Sequence, residues 1–417
     1  MAESVVLVAG GDPFPGIGGH STYVRAHAWA VRRAGFEPHI LCIGPGPRTV
    51  DTGVGVLHRT PLDWEPEWLT RHRRHLLVWR FLVLARAAEA FVRAHPRVRL
   101  LHGFGVYGCS AVLASEALRR RGFGTVALVS GYDTMEREAR AKLRGVSADH
   151  GSLPRIRLAA ELLWTRVVVD RWERRGYIGA RLVLVNYESV RRLLATSYGL
   201  GETIRKIPYS SDAAFREPGP SPAPPEALTL LGGGTSAPLI VAVSRHDPRK
   251  GVDVLLHALG RLRAAGVPFR ACLIGTGPLL ATHRRLAGRL GLADSVVIEG
   301  FVPDAYAHVH HADVFALPSL EEGSGSLALL EALQAGVTVV ASAVDGVPED
   351  VANGESGFLV PPGDVAALGD ALAAVLADPA LRGRLGAAAR RTFERRFSAD
   401  VFTAALADVY ADLGVRP

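Results

Sequence analysis

Cysteine is scarce in this chain, with three thiols in 417 residues: Cys42, Cys109 and Cys272. Two of them lie in apolar, strand-like runs, so they read as buried thiols in a reducing, cytoplasmic compartment, and neither a disulfide framework nor a zinc-ligand spacing is present. Long hydrophobic runs are also missing. No uninterrupted apolar segment approaches the ~20 residues of a membrane-crossing helix. The nearest stretch, Leu76 to Val92, is interrupted by Arg80, Arg86 and Glu89. It reads as a helix packed on a sheet in preference to an interfacial helix, although a peripheral membrane contact stays open as a partner. No basic leader precedes the apolar run Val5 to Ala9, which reads as a strand and not a signal peptide. The net charge is +7, yet no lysine-rich tail or aromatic-interleaved basic motif accompanies it. Nucleic acid is therefore not an expected partner, whereas nucleotides and acidic lipids are. Finally, no Asp-x-Asp motif occurs, so no metal-bridged diphosphate is suggested and no metal or other cofactor is expected.

What is abundant is apolar residues, at 48% of the chain, enough for the cores of two to three domains at this length. The chain opens with a strand at Val5 to Ala9, a glycine-rich loop, a helix starting near His20 or Ser21 and a strand at His39 to Ile43, which is a βαβ unit. Further strands are predicted at Arg99 to His102, Thr125 to Ser130 and Arg181 to Val185, with helices between them in doubly wound alternation. Gly131, Tyr132 and Asp133 follow one of these strands at its C-terminal end, where open parallel sheets place ligands. An arginine-rich helical stretch spans Ser147 to Gly176. Pro218 to Pro238 is rich in proline and glycine and reads as a linker. A second α/β unit then restarts at Leu239 to Val243. The predicted division is 1–215, a linker over 216–238, 239–397, and a C-terminal helix over 398–417.

The most informative stretch is Asp313 to Pro348. Val314 to Leu317 and Thr338 to Ala341 read as buried parallel strands. Between them lies the loop Glu322-Gly323-Ser324-Gly325-Ser326, followed by a helix to Gln334 that is apolar on almost every face. Such a helix is expected to be buried, so Glu331 in its middle needs donors from the protein or from a ligand. The loop delivers a second carboxylate and free backbone N–H groups at a helix N-terminus, which suits a phosphate. Upstream, Arg245 and Lys250 place two cations just past the strand Leu239 to Val243, where a diphosphate would bind.

This pattern of two glutamates around a glycine loop, with Gly336, Gly346, Pro348 and Glu349 beyond, resembles the donor-binding signature of the retaining glycosyltransferases of family 4. The resemblance implies the α/β GT-B fold, two Rossmann-like doubly wound domains facing across a cleft, with the C-terminal helix crossing back to the first domain. It assigns Arg245 and Lys250 to the leaving diphosphate, Glu322 to the donor sugar, and the amides of Gly325, Ser326 and Leu327 to the phosphates. Glu331 would take the ribose hydroxyls, Gly18 and Gly19 would approach the diphosphate from the first domain, and Gly275 and Val302 would lie beside the base. Arg245, Lys250 and Glu322 are thus the catalytic candidates. His102, Ser130, Tyr132 and Asp133 are the acceptor-side candidates. His102 has an equal alternative as a satisfied strand-end histidine.

Three departures stand out. The spacing between Glu322 and Glu331 is one residue longer than usual for the family, which favours Glu331 as the more secure assignment. Ser130 occupies the position where the family commonly has a histidine. The asparagine-glycine-valine-aspartate turn expected after Pro208 is replaced by Tyr209, Ser210, Ser211 and Asp212 before Phe215.

The implied activity is metal-independent, retaining transfer of a hexose or N-acetylhexosamine from a nucleotide sugar, with UDP-sugar the expected donor. The expected acceptor is a small natural product in a bacterial biosynthetic setting, with an envelope or capsular polysaccharide as the alternative. A GT-B UDP-sugar epimerase and a non-catalytic nucleotide-sugar-binding subunit are the rival classes. The first would need acid/base carboxylates and histidines across the cleft, and the Glu322 to Glu331 signature argues against it; the second would bind nucleotide without turnover.

Overall fold

The computed structural model describes residues 3–14, 18–62, 78–144, 152–216, 225–226 and 237–417. It resolves two compact units: Met1–Leu143 with Ala148–Phe215 and Ala399–Pro417, and Arg144–Ser147 with Arg216–Ser398. Most of the predicted linker, 217–224 and 227–236, lies outside the described residues, as do Pro15 to Ile17 of the glycine loop and Leu76 and Leu77.

The first unit is built on an eight-stranded sheet. Its strands are β1 (Ser4–Val8), β2 (Glu37–Ile43), β3 (Thr49–Asp51), β4 (Val56–Thr60), β5 (Leu100–Phe104), β6 (Val126–Ser130), β7 (Leu182–Val185) and β8 (Ile204–Lys206). They run in the order β3-β4-β2-β1-β5-β6-β7-β8, parallel except for the β3–β4 pair. The β3–β4 hairpin was not anticipated; its strands are short and largely unburied, so they carry no apolar run. Continuous burial of β1, β5 and β7 explains why those strands read as unbroken apolar runs, both sheet faces being covered by helices.

The described part of the Leu76 to Val92 stretch forms the helix Val78–Ala94. Phe81, Leu84, Ala85, Ala88 and Val92 are buried, and Arg80 is buried with them at 3% exposure. The Phe81 carbonyl accepts a hydrogen bond from Ser110 Oγ at 3.0 Å, tying this helix to the helix Gly108–Arg119. It is a packed helix, as its charge interruptions suggested. Arginine-rich helices follow at Ser152–Trp164 and Asp170–Gly179, joined by a π-helical turn over Thr165–Val169.

The second unit carries a six-stranded sheet in the order β11-β10-β9-β12-β13-β14. The strands are β9 (Leu239–Val243), β10 (Arg270–Ile274), β11 (Val296–Ile298), β12 (Val314–Leu317), β13 (Thr338–Ser342) and β14 (Gly357–Val360), all parallel. Its core gathers Ile240, Leu255, Leu259, Leu273, Val314, Val340 and Leu372 on one sheet face, each at most 1% exposed. At ~1.5–3 kcal/mol per fully buried aliphatic side chain, that layer is a main source of the unit's stability. The tail is helical at Pro379–Arg396 and Ala399–Asp412, with the break at Phe397 and Ser398, and the last helix packs in the first unit.

Candidate active site

In each sheet the connections reverse direction once, and that switch point is where open α/β sheets leave a crevice at the C-terminal ends of their strands. In the second unit it lies between β9 and β12, because β9 pairs with both β10 and β12. Arg245 and Lys250 follow β9, and Ser319 to Ser326 follow β12, so the topology brings the two predicted motifs together.

Their contact is direct. Lys250 Nζ donates to Glu322 Oε1 at 2.6 Å, and Ser319 Oγ donates to the same oxygen at 2.6 Å. The Glu322 side chain is 3% exposed and that of Lys250 19%, so the charged pair is largely withdrawn from water. Two backbone devices fix the arrangement. Asp247 caps the 3-10 turn Pro248–Lys250 by accepting from the Arg249 N–H at 3.0 Å. The Arg249 carbonyl then accepts from the N–H groups of Leu320 and Glu321 at 2.7 and 3.2 Å. Gly251 lets these segments approach: its φ is 57°, and a Cβ there would sit 2.1 Å from the Pro318 carbonyl oxygen. Any side chain at that position would force the Lys250 turn off the β12 loop.

The Glu322 loop is held from below by Asp345, which was not anticipated. Asp345 Oδ2 accepts from the N–H groups of Glu322 and Gly323 at 2.7 and 3.2 Å. Among the described residues it is the one non-glycine with positive φ, 49°, a conformation that costs on the order of 1–3 kcal/mol. The Asp-Gly dipeptide it forms with Gly346 is the turn signal that would have drawn attention to it.

Ser326 caps the helix Leu327–Ala335, its Oγ accepting from the Leu329 N–H at 3.3 Å. Among the described residues no acceptor meets the N–H groups of Gly325, Ser326 and Leu327. These are the amides the resemblance assigns to phosphate. Arg245 is looser, its side chain 56% exposed and its Nε 3.8 Å from Asp247 Oδ2. Gly275 donates its N–H to the Gly300 carbonyl at 3.0 Å, with Val302 two residues beyond. A Cβ on Gly275 would lie 1.9 Å from the Ser244 carbonyl oxygen, so β10 and the Arg245 turn touch there.

One expectation is corrected. The helix after the loop is not buried all round: Leu329, Leu330, Ala332 and Leu333 are buried, whereas Leu327, Ala328, Glu331 and Gln334 form a half-exposed face. The apolar composition hid an ordinary 3.6-residue periodicity, and Glu331 lies on the open side. The better-fixed carboxylate is Glu322.

In the first unit the switch point lies between β1 and β5. Gly18, with φ of 93°, precedes the helix Gly19–Arg33 and, like Gly19, is exposed. The His20 ring lies edge-on to Phe104 and Tyr132, with centroids at 6.3 and 5.9 Å. The Tyr132 N–H donates to Tyr177 Oη at 3.2 Å, and the Tyr132 hydroxyl is buried without a hydrogen-bond partner. Asp133 Oδ1 accepts from the Thr134 N–H at 2.8 Å and lies 3.6 Å from Arg137 Nη1.

His102 and Ser130 belong elsewhere. Both are 0% exposed; His102 Nε2 lies 2.9 Å from Ser130 Oγ and Nδ1 lies 3.0 Å from Tyr410 Oη on the helix Ala399–Asp412. Burial, with His27 beside it, drives the His102 pKa well below its ordinary value. This is the satisfied strand-end histidine, serving to seat the C-terminal helix. The altered turn is likewise structural: Asp212 accepts from Arg25 Nε at 2.6 Å, Tyr209 Oη meets Tyr187 Oη at 3.0 Å, and Phe215 stacks on Trp29.

The second unit's switch point carries a basic turn, a buried carboxylate and unpaired helix-start amides, an arrangement suited to a phosphate-bearing ligand, and comparison with known proteins gives the class of enzyme. Residues 233–392 match the model of glycosyl transferases group 1. The chain is 33% identical over 278 residues to the GDP-mannose-dependent alpha-(1-6)-phosphatidylinositol monomannoside mannosyltransferase of Mycolicibacterium smegmatis, covering 64% of this chain and 70% of that protein. It is 32% identical over 336 residues to the protein of the same description from Mycobacterium tuberculosis strain CDC 1551 / Oshkosh, covering 78% and 84%. Among solved structures, sucrose-phosphate synthase from Thermosynechococcus elongatus aligns with a TM-score of 0.69 at 21% identity, over 99% of each chain. The chain belongs to the group 1 glycosyl transferases, has the GT-B fold, and is a glycosyltransferase.

Proposed function

We propose that the chain transfers a hexose with retention of configuration from a nucleoside-diphosphate sugar to an acceptor hydroxyl, using the Lys250–Glu322 site and no metal at the diphosphate. The observation that carries this reading is the Lys250–Glu322–Ser319 cluster beside three unpaired amides at Gly325, Ser326 and Leu327. When diphosphate leaves, Lys250 and Arg245 neutralise the negative charge that develops, and the amides and helix start supply further positive potential. Glu322, already fixed by Lys250 and Ser319, accepts from donor-sugar hydroxyls and orients the anomeric carbon. Glu331, on the open helix face, takes the ribose hydroxyls. Gly275 and Val302 flank the base. Tyr132, with its unpartnered hydroxyl, and Asp133 receive the acceptor.

For the donor, GDP-mannose in the descriptions of two relatives favours guanosine and mannose over the UDP-sugar expected from sequence. Those descriptions also name a phosphatidylinositol glycolipid acceptor, which favours a lipid-linked acceptor met from the cytoplasmic side over a small natural product. The exposed Ile156, Leu163, Trp164, Val167 and Ile178, among the arginines of residues 155–175, supply an apolar and basic surface suited to an anionic membrane. Among the described residues no helix is long and apolar enough to cross a membrane.

Calorimetric titration of GDP, UDP and ADP into metal-free wild type, Lys250→Ala and Glu331→Ala tests the site. Selective GDP binding that weakens in both variants is expected, followed by mannose transfer with the anomeric configuration read by NMR. Selective UDP binding would restore the UDP-sugar reading. Equal binding by wild type and variants would remove the diphosphate and ribose assignments and leave the non-catalytic reading in first place.

A further inference from the structure

Three residues distant in sequence converge on the face of the second sheet opposite its main core. Cys272 is in the middle of β10, and its neighbours Ala271 and Leu273 point into the core layer, so alternation along the strand sends the Cys272 thiol to the other face. Glu299 immediately follows β11 and is tied to β10 by its own N–H, which donates to the Leu273 carbonyl at 2.9 Å. His308 lies on the short helix Tyr306–His310. One ligand atom from each of these side chains lies within 4.8 Å of the other two. His308 Nε2 is 2.9 Å from Glu299 Oε2, and Cys272 Sγ is 3.9 Å from the same oxygen.

We propose that Cys272, Glu299 and His308 form a binding site for a divalent transition-metal ion of the zinc class. Thiolate, imidazole and carboxylate are its three protein ligand types, and bonds of ~2.0–2.3 Å in tetrahedral geometry place ligand atoms ~3–4 Å apart, close to the 2.9 and 3.9 Å from Glu299 Oε2 to His308 and Cys272. The state of His308 is the independent observation. Its side chain is 5% exposed and neither ring nitrogen makes a hydrogen bond, even though Nε2 is 2.9 Å from a carboxylate oxygen. A close approach that is out of line for N–H donation is how two ligands of one ion face each other, whereas without an ion the buried His308 ring is left unsatisfied at both nitrogens. The Glu299 side chain is 25% exposed, leaving a side open for a fourth ligand such as water.

Binding has a defined proton balance. A cysteine thiol carries its proton at neutral pH and binds a metal ion only as the thiolate. On coordination the S–H bond breaks, the metal–sulfur bond forms and one proton passes to buffer, while His308 coordinates as the neutral ring. The ion would clamp β10, the end of β11 and the helix Tyr306–His310 together, and so brace the turn from Gly300 to Val302. This is a structural role that the expectation of no metal at the diphosphate does not address. Sequence inspection missed it because the three residues share no local spacing.

Metal-free full-length protein is titrated with zinc against a chromophoric chelator, and with cobalt by absorption spectroscopy, for wild type, Cys272→Ser, His308→Ala and the control Cys42→Ser. One equivalent is expected in wild type and control, with a thiolate-to-cobalt charge-transfer band and one proton released per ion. Affinity should fall by at least ~10–100-fold in Cys272→Ser and His308→Ala, a loss that even outer partners of metal ligands produce. Binding of less than one equivalent, or a cobalt spectrum without the thiolate band, overturns the proposal from wild type alone, whatever the folding of the variants. Unchanged affinity in a correctly folded Cys272→Ser overturns it as well. Nucleotide binding by metal-free protein is unaffected by either result, so the donor-site reading stands or falls separately.

Discussion

Two clusters, one in each unit, bury ionisable groups in opposite ways. In the second unit a cation and a carboxylate are withdrawn from water together, Lys250 Nζ lying 2.6 Å from Glu322 Oε1. In the first unit, around His102 and at Glu173, burial favours the neutral form: His27 is lowered to about 3 and His102 well below its ordinary value, while Glu173 is raised to about 8, with burial the leading cause in each. Paired burial preserves a field that can act on a departing diphosphate. Unpaired burial discards charge and leaves hydrogen bonds that set packing. The same cost, desolvation, is met by pairing at Lys250 and Glu322 and by loss of charge around His102.

The largest effect expected from this contrast is at Lys250. Lys250→Ala removes the cation proposed to face the leaving group and should lower kcat/KM by ~10²–10³-fold, the usual cost of one preorganised electrostatic contact. Glu322→Gln should lower it too, and the double variant should lose much less than the product of the two, since the groups act as a unit. Additive losses would break the claim that they form one device. Tyr410→Phe probes the other unit. It takes from His102 Nδ1 its partner at 3.0 Å and should cost ~1–3 kcal/mol of stability by chemical denaturation. Nucleotide affinity should not change; a change would give the His102 cluster a part in donor binding. Smaller again, Glu331→Ala should weaken nucleotide binding by ~1.5–3 kcal/mol if it grips the ribose, with little change in stability because its helix face is half exposed.

The same contrast explains what was legible in the sequence. The second unit's site is built from two short segments, Arg245 to Gly251 and Glu322 to Leu327, each following a strand, so local spacing carried the chemistry and the β9–β12 switch point joined them. Strand positions were readable because both sheets are covered on both faces. What escaped was whatever depends on distant partners. Asp345 supports Glu322 across the β12–β13 connection, and Ser319 reads as an ordinary turn residue. His102 stood evenly between a cleft residue and a satisfied strand-end histidine because the sequence does not reveal that Tyr410, far along the chain, closes over it. Glu331 looked buried because composition was read where periodicity decides.

Glu173 offers the finest test, because its charge can be switched by pH alone. The side chain is buried, with Met135 N–H donating to Oε2 at 3.1 Å and Tyr198 Oη donating to the same oxygen at 3.0 Å. These bonds favour the carboxylate, yet desolvation and the nearby Asp170 and Asp133 outweigh them and lift its pKa to about 8. With a raised folded-state pKa, the folded protein holds a proton that the unfolded chain releases from about pH 4.5 upward. Its contribution is therefore fully present below that value and is lost as pH rises to about 8, at up to ~1.4 kcal/mol per pH unit. Glu173→Gln cannot ionise and should lack this slope. Its melting temperature should lie closest to wild type near pH 5 and exceed it by on the order of 10 °C above pH 8, at ~2–4 °C per kcal/mol for a unit of this size. Parallel curves for the two proteins would mean that Glu173 is charged when folded, and that the first unit also buries its carboxylates as ions.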